Sequence, residues 1–129
     1  MKQIIGAVTL VVPDYDEAID FYVGSLGFEL IEDTPLSETK RWVLVAPKGS
    51  TETRLLLAQA DAPAQAASIG NQAGGRVFLF LDTDDFDRDY KSMVTAGVTF
   101  LESPRSEPYG KVAVFQDPFG NKWDLIEKT

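Results

Sequence analysis

Residues 7–32 read AVTLVVPDYDEAIDFYVGSLGFELIE, and residues 76–102 read RVFLFLDTDDFDRDYKSMVTAGVTFLE. Each stretch opens with an apolar run, passes through an acidic turn, continues as an amphipathic segment, stops at a glycine and resumes as a second apolar run. The two register on each other: Ala7 falls on Arg76 at an offset of 69, and Gly27 and Glu32 fall on Gly97 and Glu102 at an offset of 70. Internal repetition of this kind is the signature of a duplicated supersecondary unit.

The match continues outward. KRWVLVAP at 40–47 corresponds to GKVAVFQD at 110–117, and TRLLLAQ from Thr53 corresponds to NKWDLIE from Asn121. The pattern predicts an α+β fold of two strand-helix-strands modules, 1–59 and 76–129. The stretch ADAPAQAASIGNQAGG at 60–75 has little periodicity and reads as the linker. Tyr15, Ala18, Ile19, Tyr22 and Leu26 recur at helical spacing, as do Phe86, Tyr90 and Met93. These stripes are read as core, not as a cofactor box. Asp14 with Glu17 suits a helix start, and Gly27 and Gly97 suit the left-handed residue that ends a helix. DPFGN at 117–121 reads as a turn with a purely structural task.

Composition narrows the chemistry. The 129 residues contain no cysteine and no histidine, and 44% are hydrophobic. Thiolate chemistry, imidazole metal sites and Ser-His-Asp triads are therefore excluded. A general base would have to be a carboxylate, lysine or tyrosine, and a metal site would rest on oxygen ligands. The net charge of −8 repels phosphate backbones, so no nucleic-acid partner is expected. No run of 18 apolar residues is present, and MKQIIGAVTLVVPD reads as a strand and not as a signal peptide. A cytoplasmic protein with no membrane partner is the expectation.

TLVVPDYDEAIDFYVGSLGFELI at 9–31, followed by VAVFQDPFGNKWDLIE at 112–127, resembles the vicinal oxygen chelate superfamily. That group includes glyoxalase I, extradiol dioxygenases, and fosfomycin- and bleomycin-resistance proteins. The resemblance rests on the Asp14-x-x-x-Ala18-Ile19-Asp20-Phe21-Tyr22 helix and the Asp117-Pro118-x-Gly120-Asn121 turn, and covers nearly the whole chain. It implies two βαβββ modules curled into a cup, helices on the outer face, and commonly a homodimer. Metal-dependent members place four ligands in the cup, one from the first and one from the last strand of each module. The corresponding positions here are Ala7, Leu56, Arg76 and Asp124, of which Asp124 alone could ligate.

Strand alternation orders the rest of the expected pocket. Arg54 shares a face with Leu56, and Phe78 and Phe80 share one with Arg76. Val8, Leu10, Val12, Val77, Leu79, Leu81, Trp123 and Leu125 fall on the opposite, helix-packed faces. Arg76 and Asp124 are expected to pair, the guanidinium filling the space of the ion; the plainer reading is a salt bridge that merely closes the cup. Trp42 and Tyr109 stand near the expected mouth. The reading that follows is a metal-independent small-molecule binder without cofactor, resembling the bleomycin-resistance branch. The alternative is a glyoxalase-like lyase or isomerase, or a dioxygenase. It would use an atypical carboxylate metal site, Asp124 with Glu29, Glu32 or Glu102, or Asp124 as a lone base with a lowered pKa. A non-catalytic subunit that uses the fold for dimerisation is a third possibility.

Overall fold

Alternation of apolar and polar residues builds two separate mixed sheets in the computed structural model, which describes residues 2–129. The chain divides into two compact units, residues 1–69 and 70–129. In the first, β1 (Ala7–Val12), β2 (Glu29–Pro35), β3 (Arg41–Ala46) and β4 (Arg54–Gln59) lie in the order β1-β4-β3-β2. β1 runs parallel to β4, and the other pairs are antiparallel. Leu10, Val12, Val43, Val45, Leu55 and Leu57 are buried on one face of this sheet, where α1 (Tyr15–Ile19) packs on β4. Each such side chain contributes about 1.5–3 kcal/mol on burial.

Asp14 caps α1 as expected, its Oδ2 accepting the Glu17 N–H at 2.9 Å. The helix then departs from the expected 3.6-residue stripe. Residues Asp20–Ser25 form a π-helical turn, with the Leu26 N–H donating to the Phe21 carbonyl. The wider turn carries Phe21 as well as Tyr22 into the core, while Ile19 and Leu26 are only half-buried. Phe21 and Tyr22 meet edge to face at 4.9 Å. Gly27 and Gly97 both adopt the left-handed conformation that ends their helices.

The second unit repeats the plan with one elaboration. β5 (Leu79–Asp82), β9 (Lys122–Lys128), β8 (Gly110–Gln116) and β6 (Thr99–Phe100) lie in that order, and β7 (Arg105–Glu107) also pairs with β8. α3 (Phe86–Thr95), capped by Asp85, packs on β9. Tyr90 stacks on Phe86 and meets Phe100, Phe100 meets Phe115, and Phe115 stacks on Trp123, so the aromatic stripe is core. The strand expected after Gly97 is split into β6 and β7 because Pro104 brings no backbone donor to the ladder.

The 60–75 stretch is not structureless. Pro63 opens a short helix, α2 (Pro63–Ser68), as proline favours at a first helical position. The 117–121 turn is closed by its own side chains. Asp117 is buried, and its Oδ1 accepts the N–H groups of Phe119 and Asn121 at 3.0 and 2.8 Å. Its Oδ2 accepts the Asn121 Nδ2 at 2.7 Å.

Candidate functional site

Each sheet keeps one face free of its own helix, and the residues singled out from the sequence lie on those faces or at their edges. In the first unit, register sets Thr9 beside Leu56, Leu56 beside Leu44 and Leu44 beside Glu32. Ala7 pairs with Arg54 one step along the strands. Trp42 lies two residues from Leu44 on the same face, paired with Thr34, and is 39% exposed. The face is thus apolar at its centre, with one cation, Arg54, whose Nε is buried without a hydrogen-bond partner.

In the second unit, Phe80 pairs with Asp124, and Asp124 pairs with Val114. Phe80 is 63% exposed, an unusual position for phenylalanine on a sheet centred on an aromatic core. Phe78 is half-buried and donates its N–H to the Lys122 carbonyl at 2.8 Å, which extends the ladder by one residue. Asp124 has an Oδ1 that is buried and unpartnered. Burial pushes its pKa above the ordinary carboxylate value; Arg105 opposes that shift and Glu102 adds to it.

Arg105 is the residue the sequence reading missed. The break between β6 and β7 lets Glu102 fold its carboxylate back, so that Oε2 accepts both the Val114 N–H at 3.2 Å and Arg105 Nε at 2.9 Å. Arg105 Nη1 also donates to Glu107 Oε1 at 3.1 Å and Tyr109 Oη at 3.4 Å. Arg105, Glu107 and Tyr109 alternate along the chain, which was the available signal. Tyr109 itself is 51% exposed in the turn before β8.

Three expectations need correction. Among the described residues Arg76 makes no ion pair with Asp124, whose charged neighbours are Arg105 and Glu102. It sits exposed in a turn, three residues before β5, with its N–H on the Ala73 carbonyl. Nor is it the counterpart of Ala7. Both helix caps are aspartates, Asp14 and Asp85, and counting seven residues back from each gives Ala7 and Phe78. The pairings agree, since Leu10 lies opposite Leu57 as Leu81 lies opposite Leu125, which sets Leu56 against Asp124. The caps Asp14 and Asp85 lie 71 residues apart (85 minus 14), so the offset of 69 placed the match two residues early. Finally, Asp124 is raised, not lowered, in pKa, because burial outweighs the opposing pull of Arg105, and Glu102 adds to the rise.

Carried over on this register, the four metal positions that the resemblance implies fall on Ala7, Leu56, Phe78 and Asp124. Three carry hydrocarbon side chains with no lone pair. Glu29 accepts from the Gly49 N–H and Glu32 from the Thr34 hydroxyl, both exposed on β2. Among the described residues no group of three acidic side chains gathers to hold an ion. The donor set does not fit a divalent metal.

The family model described as Glyoxalase/Bleomycin resistance protein/Dioxygenase superfamily matches residues 4–125. An uncharacterized protein of Shewanella frigidimarina (strain NCIMB 400) is 59% identical over 128 residues, covering 98% of this chain and 95% of that one. The crystal structure of UcmS2 superposes with a TM-score of 0.85 at 31% identity, covering 98% of each chain. That of TnmS3, an antibiotic binding protein from Streptomyces sp. CB03234, gives 0.78 at 33% identity, covering 100% of this chain and 98% of that one. The mitochondrial methylmalonyl-CoA epimerase of Bos taurus is 28% identical over 95% of this chain and 71% of its own. No helix among the described residues is long and apolar enough to cross a membrane.

Proposed function

The chain belongs to the glyoxalase/bleomycin resistance protein/dioxygenase superfamily, and within it we propose that this protein is a metal-independent binder of small organic molecules, working as a cytoplasmic homodimer. One observation carries the reading. Asp124 presents a buried carboxylate oxygen with no partner, beside the exposed ring of Phe80 and the apolar side chain of Val114. An unmet acceptor in an apolar surround costs free energy until a donor arrives. A flat ligand carrying an amine or hydroxyl donor supplies both halves: its ring covers Phe80 and its donor meets Asp124. The likeness to an antibiotic-binding protein supports the same class of ligand. Asp124 is the ligand's polar anchor in this reading, Phe78 and Phe80 its apolar wall, and Arg105 with Glu102 and Tyr109 the frame that fixes the rim.

The test is a thermal-shift and calorimetric screen of tag-free protein against aminoanthraquinone probes. Ligand bound to the native state raises the melting temperature. The expected result is a shift in wild type that shrinks in Asp124→Asn and in Phe80→Ala. No shift with any member of the series sinks the reading.

A second reading is favoured by the raised pKa of Asp124. A lone carboxylate held above its ordinary range is a stronger base than the sequence suggested, and can take a proton from a carbon next to a carbonyl. The likeness to an epimerase supports it. Solvent deuterium entering methylmalonyl-CoA with wild type, and not with Asp124→Asn, selects this reading over simple binding.

A further inference from the structure

Of the five arginines, three answer to acids. Arg41 binds Asp33 and Asp16, Arg88 binds Asp84 and Asp89, and Arg105 binds Glu102 and Glu107. Arg76 is exposed, and water serves it. Arg54 differs from all four. It is half-buried, it forms no ion pair among the described residues, and its Nε is shut off from water with no acceptor. A donor nitrogen cut off from water without an acceptor is a costly arrangement, and natural chains usually avoid it.

The backbone around Arg54 is tied into the sheet, and no acid stands beside it on the ladder. Its backbone N–H is tied to the Gly6 carbonyl at 3.0 Å, and the preceding Thr53 hydroxyl to the Ile5 carbonyl at 2.6 Å. Across the ladder stands Ala7, whose methyl group fills little space and offers no acceptor. Along the strand stands Leu56, with Thr9 and Leu44 to either side. The result is one positive charge with no acid opposite it, at the end of a short apolar surface.

We infer that this face of the first sheet is a carboxylate subsite. The Arg54 side chain turns to uncover Nε and receives the planar anion through Nε–H and a neighbouring Nη–H, while Leu56 and Leu44 receive the apolar body attached to it. The single cation selects a monoanion. A phosphate dianion would leave charge uncompensated on a protein that is already strongly acidic. The orphaned Nε–H selects the planar, two-pronged acceptor that the guanidinium fork matches.

The probe pair is 2-naphthoate and its neutral isostere 2-naphthamide, titrated into the full chain by calorimetry. Tryptophan emission gives a parallel readout, because Trp42 on this face is partly exposed whereas Trp123 is buried. Wild type is expected to bind naphthoate, to quench Trp42 emission on doing so, and to discriminate against naphthamide. Arg54→Met should lose about tenfold to a hundredfold in naphthoate affinity, the span of a charge-assisted contact. Arg54→Lys, which keeps the charge and loses the fork, should fall between the two. The inference is overturned if naphthamide binds as well as naphthoate, if Arg54→Met keeps its affinity, or if wild type binds neither at millimolar concentration. A lowered sedimentation mass in Arg54→Met with naphthoate affinity intact also overturns it, and assigns the missing acceptor to a second copy. Should Arg54→Met fail to fold, Arg54→Lys and the amide comparison decide. The aminoanthraquinone screen uses uncharged probes and reads the other unit, so failure there and failure here are distinct.

Discussion

At the scale of the residue, Asp124 is the side chain on which most depends, and its behaviour with pH has a definite sign. Its folded pKa lies above the ordinary carboxylate value. The native state therefore holds this proton more tightly than the unfolded chain, and ionisation of Asp124 costs stability as pH rises through that raised range. Asp124→Asn is expected to melt higher than wild type at neutral pH, and the advantage should vanish below the ordinary carboxylate pKa, where both carry no charge. Melting curves of the two proteins between pH 3 and pH 8 (a span set by the reference carboxylate pKa near about 4) measure it. A variant that melts lower at every pH would mean that Asp124 has a partner in the free protein. The residue also separates what could be foreseen from what could not. Its place on the last strand was legible from the Asn121-Lys122-Trp123-Asp124 spacing. Its raised pKa was not, because that depends first on burial, which only the packed sheet sets.

At the scale of the element, the 117–121 turn joins β8 to β9 and so sets the register that brings Asp124 beside Val114 and Phe80. Asp117 satisfies two backbone N–H groups and the Asn121 amide from a buried position. Asp117→Ala leaves those donors unmet and is expected to cost about 2–4 kcal/mol. Urea unfolding measures this, and a change below about 0.5 kcal/mol, the ordinary surface range, would contradict it. The turn was read correctly as structural from its proline, glycine and asparagine. The π-helical turn after α1 was not foreseen, because a 3.6-residue template assigns Phe21 to the outside, and only the packed core shows Phe21 and Tyr22 side by side. The split of the strand after Gly97 was missed for a related reason. Pro104 marks a break, but the carboxylate that fills it comes from Glu102, and no local pattern announces that exchange.

At the scale of the whole molecule, the proposals concern metal and self-association. The positions matched by the family's metal ligands offer one donor, Asp124, and three hydrocarbons. Tag-free protein purified without chelators and then offered manganese, nickel, zinc and iron(II) is expected to retain far less than one metal per chain by elemental analysis. Stoichiometric retention would refute the metal-independent reading and make lyase and dioxygenase assays the next step. The proposed homodimer draws support from large apolar side chains left on the surface, Ile4, Ile5, Leu36 and Phe80 among them. Sedimentation equilibrium should return about twice the 14.2 kDa chain mass, and a monomer at micromolar concentration would remove the dimer from the proposal.

The sequence by itself determined the class of fold, the duplicated plan and the absence of imidazole and thiolate chemistry. These follow from periodicity and composition, which are local or additive and survive without coordinates. It also determined that Ala7 and Leu56 cannot hold a metal, since the side chains alone settle that. Only the tertiary structure decided that Phe78 and not Arg76 is the counterpart of Ala7, and that Arg105 frames Asp124. It alone decided which arginine keeps a buried nitrogen without an acceptor. Each of those depends on strand register and on which groups reach water, and both arise from contacts between residues far apart along the chain.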